Sequence, residues 1–404
     1  MSNQYSTIAY NLAQLKNYYQ GPIIDQFNEE VAIYRATEKV RDQWSGQKVV
    51  KPLKVRRNNG IGATSDGGLL PAIGRQTTIA AEINAKFNYL RFGITGPMIK
   101  SSANDKGSFV RSAAYELEEG YKDLKSDVNR QLSWDGTGYL ATVSANAVGS
   151  NVITVTGRES TENGSKFLDV GMVIDVVTTG GTIVASGVSI TAMSGTTTAT
   201  LTLSAAVTVS STDKVIRSGS QNNEIQGLLT QLDGGTSTVF AIDRASYPIT
   251  QGNEIEPSGG STQLTIDYMQ QAWNAGLSRG GNGYSAIWTS FEYQRYYQKL
   301  LTADKRYVNS IKGDGGFGSK DKMYLDFNGV AIVPDKDCPQ RMFFLPVEVI
   351  KSYVLCEMEF ADETGSMYIA ATENDALEGR IRFFMNLFNE KASACAVLNG
   401  FTSP

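Results

Sequence analysis

The stretch from Gly107 to Trp134 reads GSFVRSAAYELEEGYKDLKSDVNRQLSW. Phe109, Ala113, Leu117, Leu124, Val128 and Leu132 recur three or four residues apart, or at their sum, which lays one apolar stripe along a helix. Glu116, Glu118, Lys122, Asp123, Lys125, Asp127 and Arg130 fill the opposite side. Ser108 is placed to cap the start, and Asp135-Gly136 to stop the end. At 1.5 Å per residue such a helix runs roughly 40 Å, enough for a spine with other elements laid across it. The plain alternative is a long surface helix on an ordinary domain. Gly120, near the middle, costs about 1 kcal/mol relative to alanine if exposed, and it offers a point of bending.

Upstream, Ile8, Leu12, Leu15 and Tyr19 predict one helix over 5–19, and Gly21-Pro22 breaks it. Ile24, Phe27, Val31 and Tyr34 predict a second, running to about Gln43. Neither has a matching partner nearby, so each must pack on something distant, either its own domain or a neighbouring molecule. KVVKPLKVRR (48–57) then alternates Leu53 and Val55 with Lys54 and Arg56, a period-two strand. A glycine-rich turn follows with Gly60, Gly67 and Gly68, and strand-like runs return at Ile79–Ile83 and Phe87–Ile94. An excursion of this kind has little core of its own and needs partners to be stable. Lys48, Lys51, Lys54, Arg56 and Arg57 meet no acid until Asp66. They read as a nucleic-acid strip or as an arm docking on an acidic neighbour, and the lack of interleaved aromatic residues favours the arm.

Downstream, composition shifts abruptly between Gly138 and Gly219. Of these 82 residues fifteen are Thr and thirteen Val, and only nine are charged. Runs such as NVITVTG, MVIDVVTTGG and TATLTLS, separated by Gly and Ser turns, predict a small barrel or sandwich inserted into the main fold. After it come EIQGLLTQLD, a strand over Thr238–Ile242, a helix over Thr265–Leu277, and a strand at SAIW. A capping box from Thr289 to Glu292 then opens a helix to about Leu301. Strand candidates close the chain at Val330–Val333, Met342–Leu345, Met367–Ala370, Ile381–Phe388 and Ala394–Leu398. Ile381–Phe388 is apolar on both faces and so central to a sheet. Helices alternating with strands, plus an antiparallel excursion, indicate an α+β fold.

With 404 residues the chain exceeds what one core supports. There is no histidine, which removes Ser-His-Asp and Cys-His sites and HExxH zinc sites. Cys338, Cys356 and Cys395 form no CxxC pair and read as reduced, buried thiols. The net charge of −4 opposes a broad nucleic-acid face. No basic leader with an apolar core opens the sequence, and no run spans a membrane. GDGGFG, with Gly313, Gly315, Gly316, Phe317 and Gly318, lacks the Gly-Lys-Ser/Thr of a phosphate loop and reads as a flexible loop. Asp362 and Glu363 are adjacent, so in a strand they would point to opposite faces and make no acid–base pair. No cofactor, metal or catalytic residue is expected.

This order of parts resembles the major capsid protein of tailed phages, the Hong Kong-phage-type coat fold. AIDRASYPI (241–249), WNAGLSRGGNGYSAIW (273–288) and FNGVAIVPDKDCP (327–339) carry the residue-level likeness. The resemblance implies an N-terminal arm over 1–45, an extended loop over 46–106, a spine helix over 107–137 and a β-rich insertion domain over 138–219. Residues 220–404 would complete the peripheral and axial domains, with 313–318 as a loop near the hexamer and pentamer centres. It further implies a non-enzymatic shell of hexamers and pentamers around double-stranded DNA that it contacts weakly and without sequence specificity. The subunit would be made in a host bacterial cytoplasm and end in the virion, with scaffolding, portal and decoration proteins as possible partners. Some members cross-link a loop lysine to an asparagine; Lys48, Lys51 and Lys54 lie on that arm, and no partner is assigned to them. A chain that keeps Met1 is expected not to mature by losing a long N-terminal scaffolding segment, or else to be an immature form. Two other readings stay open: an encapsulin-like bacterial nanocompartment shell, and a carbohydrate-binding surface protein acting through 138–219.

Overall fold

The computed structural model describes residues 32–41, 44, 46–101, 106–159, 162–234, 238–257, 262–303, 325–361, 368–370 and 374–404. The first expected helix, Gly313–Gly318 (with Phe317) and the pair Asp362 and Glu363 lie outside these residues. A short helix, Ala32–Ala36, leads into β1, Glu38–Val40. The second helix therefore does not reach Gln43. Thr37 leaves it to meet Ser352, with the two hydroxyl oxygens 2.7 Å apart, and β1 joins a sheet edge instead.

β2, Lys48–Arg56, and β3, Thr77–Asn84, form the antiparallel hairpin, in register from Lys48↔Asn84 to Arg56↔Thr77. Its root is not bare. Val49, Ala81 and Ile83 are buried against Tyr353, Phe388 and Phe240 of the body. β4, Lys86–Thr95, follows at once and belongs to a body sheet. The spine helix occupies Lys106–Ser133 as one element. Ser108 lies inside it and is not its cap, because an apolar stripe fixes a helix's rotation and not its first turn. Gly136, at φ +74°, turns the chain away.

The Thr/Val-rich block closes into a six-stranded barrel. Its strands are β5 (Tyr139–Val143), β6 (Ala147–Thr156), β7 (Val173–Val177), β8 (Ile183–Ser194), β9 (Thr198–Val209) and β10 (Lys214–Arg217), in the order β10-β5-β6-β9-β8-β7. Alternate positions point inward, and Ile153, Val155, Ile174, Val176, Leu201 and Val215 fill its interior.

Thr238–Ile242 is not one strand. β11, Thr238–Val239, and β12, Ile242–Asp243, pair across a reversal at Phe240 and Ala241, both with positive φ (52° and 63°). Sequence marks such turns by Gly or Asn. Here tertiary contacts hold the turn instead: Phe240 packs on Phe388 at 5.1 Å, and its carbonyl accepts the Glu82 N–H.

The remaining strands are β13 (Asn253–Ile255), β14 (Ala286–Thr289), β15 (Leu325–Phe327), β16 (Val330–Pro334), β17 (Arg341–Leu345), β18 (Ile350–Phe360), β19 (Tyr368–Ala370), β20 (Ala376–Asn389) and β21 (Ala396–Asn399). One mixed sheet runs β13-β21-β17-β14-β16-β15, with the helices Ile266–Ser278 and Phe291–Ala303 contributing Met269, Ala272 and Tyr293 to its core. Ser290, not Thr289, caps the second helix, its Oγ accepting the Tyr293 N–H at 3.3 Å, because Thr289 is the last residue of β14. In the other sheet β20 is central, paired with β4 on one side and with β18 and β19 on the other. Sequence reading missed β18, although Cys356, Met358 and Phe360 alternate there with Glu357 and Glu359, a period-two signal that the burial pattern follows. Leu124, Val128 and Leu132 of the spine pack with Phe383, Met385 and Leu387 of β20. The mixed α+β fold thus centres on one helix laid across one strand.

Candidate assembly surfaces

Alternation along β2 carries Lys48, Lys54 and Arg56 outward, while Lys51 falls on the inner side with Val49 and Val55. Lys48 pairs with Glu82 at 2.6 Å, Lys51 stands 5.7 Å from the Tyr353 ring, and Arg56 lies 5.8 Å over Tyr247. Three of the five cations thus find partners in their own chain. Lys54 and Arg57 are exposed beside a cavity at the hairpin root.

Beyond Arg56 the ladder ends, and the tip is an irregular loop. Gly60 and Gly74 meet backbone to backbone; a Cβ on Gly60 would stand 2.8 Å from the Gly74 nitrogen. Gly67 turns the tip at φ +75°, and the Gly68 N–H donates to the Ser65 carbonyl at 2.9 Å. Ile61, Leu69, Leu70 and Ile73 are 85 to 103 % exposed. Four bare aliphatic side chains on one projection are a surface made to be covered. Sequence reading marked the glycines and the cations and missed these four, although an apolar LLPAI inside a turn was the available signal.

The spine residues Leu124, Val128 and Leu132 are buried as the stripe requires. Phe109 and Leu117 lie on the same helix, with side chains outside the described residues. Gly120 faces the sheet: a Cβ there would stand 2.8 Å from a Leu90 methyl of β4. Close approach therefore accounts for this glycine, and the helix is continuous through it.

The end of the spine is a polar junction. Arg130 is buried and reaches Glu224 at 2.5 Å and Asp127 at 3.1 Å. Burial pushes the Asp127 carboxyl up, but Arg130 and Arg217 outweigh it and hold the group well below the usual carboxylate range. Arg158 of the barrel pairs with Asp135 and lies 4.3 Å over the Trp134 ring, while Glu159 pairs with Arg341. Asn129 Nδ2 donates to both carboxylate oxygens of Asp335 at 3.1 Å and to Asp337 at 2.9 Å, all three residues buried. Burial, with the Asp337 charge, raises the Asp335 pKa; the Asp337 N–H and the Asn129 amide oppose it.

Cys338 and Cys395 are buried. Cys356 is only half-buried, contrary to expectation, because it lies in the half of β18 after Val354, where exposed and half-buried positions alternate. Burial and the hydrogen bond to Glu359 push its thiol up to about 11. Among the described residues no three His, Cys, Asp or Glu side chains converge as a metal site would require, and no helix is long and apolar enough to cross a membrane.

A spine helix across a long antiparallel sheet, a projecting hairpin and a second mixed sheet with two helices define a class: the shell-forming fold of tailed-phage capsid proteins. The chain is similar to the subunit of the cyanophage A-1(L) capsid, with a TM-score of 0.61 at 14% identity over 98% of this chain and 100% of that one. It is also similar to the capsid of a native GTA particle, at 0.52 and 8% identity over 99% and 100%. The holo-SrpI encapsulin complex from Synechococcus elongatus aligns at 0.47 and 9% identity over 99% and 97%. At such identities the likeness is one of fold. No protein-family model and no curated protein matches the sequence.

Proposed function

We propose that the protein is the major capsid protein of a tailed phage, assembling into hexamers and pentamers of an icosahedral shell around double-stranded DNA. The correspondence of fold over essentially the whole of both chains carries this reading. The exposed Ile61, Leu69, Leu70 and Ile73 supply its mode of contact. A shell subunit must bury extended, complementary surfaces on its neighbours, and a loop tip of this kind is stable only when covered.

In this reading residues 1–45 are the arm and 46–106 the loop that reaches an adjacent subunit. Residues 107–137 form the spine, bending at Gly120 as the shell changes shape. Residues 138–219 are an inserted domain on the outer face, and 220–404 complete the peripheral and axial parts. Mild net acidity keeps the inner wall from trapping packaged DNA. Scaffolding, portal and decoration proteins are the expected partners, and the virion is the final location after synthesis in the bacterial cytoplasm. The chain does no chemistry of its own.

Negative-stain imaging of the purified protein, alone and with a scaffold, tests this. Closed particles are expected, and a strictly monomeric species under every assembly condition refutes it. Particles that hold cargo enzymes and no DNA select the nanocompartment instead.

A further inference from the structure

A cavity of about 290 Å3 lies where the hairpin root, the β11–β12 turn and the end of β20 meet. Five cations line it: Lys54, Arg57, Arg244, Arg279 and Lys391. One carboxylate, Glu390, faces them, and it is already shared with Lys351 at 3.6 Å and the Tyr353 hydroxyl at 3.3 Å. Arg244 is 2 % exposed and spends its terminal nitrogens on the Thr230 carbonyl and on Asp233, while its Nε has no partner. Arg279 donates to two neutral acceptors, Asn253 Oδ1 at 2.7 Å and the Pro248 carbonyl at 2.6 Å. Burial lowers its pKa, as expected for a cation without an anion. Lys391 reaches only the Gly280 carbonyl. Among the described residues no carboxylate pairs with Lys54, Arg57, Arg279 or Lys391. The rest of the chain is acidic, so the site concentrates positive charge against the protein's own net sign.

Like charges gathered round a partly desolvated hollow repel, and among the described residues only the Asp233 pairing of Arg244 and the shared Glu390 offset them. The walls are also fixed in place. Phe240 lines the cavity from a turn that holds two non-glycine residues at positive φ, an arrangement kept only where surrounding packing enforces it. Guanidinium groups with unspent donors suit an oxyanion.

We propose that this cavity is an oxyanion site, built by Arg279 and Lys391 over a floor containing Arg244. The ligand is a single compact anion. A free phosphate and an acidic side chain from a neighbouring copy share that chemistry. Only the second source rests on the shell reading.

The test uses inorganic phosphate on the full-length, unassembled protein, against sodium chloride of equal ionic strength. At a hundredfold excess over Kd the melting temperature should rise by about 3 °C for a chain of this size, and amide exchange across β11–β12 should slow. The variant R279Q/K391Q should lose both effects and R295Q, at an exposed position away from the cavity, should keep them. The exposed K391Q alone guards against misfolding of the double variant and should weaken phosphate binding at least fivefold. Where particles form, slow exchange across β11–β12 without phosphate assigns the occupant to a neighbour's carboxylate, and slowing only on phosphate addition assigns it to the free ion. No phosphate-specific effect in the wild type, or an equal effect in R279Q/K391Q, overturns the proposal.

Discussion

Replacing Asn129 by leucine, which keeps the same branched skeleton of heavy atoms, removes the amide that the spine presents to Asp335 and Asp337. The Nδ2 group has two hydrogens, so its three contacts at 2.9 to 3.1 Å amount to two full hydrogen bonds. Bonds to charged acceptors contribute about 1.5–3 kcal/mol each, and both carboxylates stay buried when their donor goes. A loss of about 3 kcal/mol follows at pH 7, or roughly 3–4 °C in melting temperature for 404 residues. The pH dependence is the sharper part. The Asp335 pKa is raised in the folded state, so its favourable contribution is complete below the unfolded carboxylate value and fades as pH rises through the folded one. The Asn129 bond holds that pKa down, so N129L raises it further. The variant's deficit should therefore shrink on going from pH 7 to pH 4.5, as a protonated Asp335 becomes a donor to its neighbour. Thermal melts followed by circular dichroism at both values measure this. An equal deficit at the two pH values, or one below 1 kcal/mol at pH 7, refutes the reasoning.

Charging the loop tip with L69D, L70D and I73D together should leave the subunit's melting temperature within about 1 °C, since these side chains touch nothing in the fold. Particle formation, read by sedimentation and imaging, should be abolished; normal particles would show that the tip is not a contact. G120A pits about 1 kcal/mol of helix propensity against a shifted Leu90 methyl, so stability should change by less than about 1 kcal/mol. Comparison of immature and mature wild-type particles decides whether the helix bends at Gly120, and an equally straight spine in both would exclude it. A241G relieves a positive φ on an exposed residue and should stabilise by about 1 kcal/mol in chemical denaturation; a loss would show that the turn is not strained there. Residues 138–219 expressed alone should melt cooperatively, because the barrel encloses its own core, and a glycan array on that fragment tests the carbohydrate reading directly.

The elements that could be read from sequence were those whose signal is local. The spine's stripe gave its length to within a residue at each end, and the alternation in β2 and the two-faced β20 identified an excursion and a central strand. What sequence hid is held by distant contacts. The β11–β12 reversal has no glycine because Phe388 and Glu82 hold it. β1 reads as helix in the sequence because its partner β18 lies more than three hundred residues away. Gly120 looked like a weak point in a rod and is the place where Leu90 presses closest. The cationic residues of the root cavity come from four separate segments, so no window of sequence could assemble them.

The barrel's two ends bear on how such a chain could have been composed. β5 and β10 are neighbours in register, Tyr139 opposite Ile216, and just outside them the Asn222 N–H meets the Thr137 carbonyl at 3.0 Å. Gly138 and Gly219, both at positive φ, flank the doorway. The polypeptide thus leaves and re-enters the body through a gap that a tight turn could close. Any module whose termini lie side by side would fit the same socket without disturbing the spine, which makes this position a natural port for exchange of domains and for display of foreign ones.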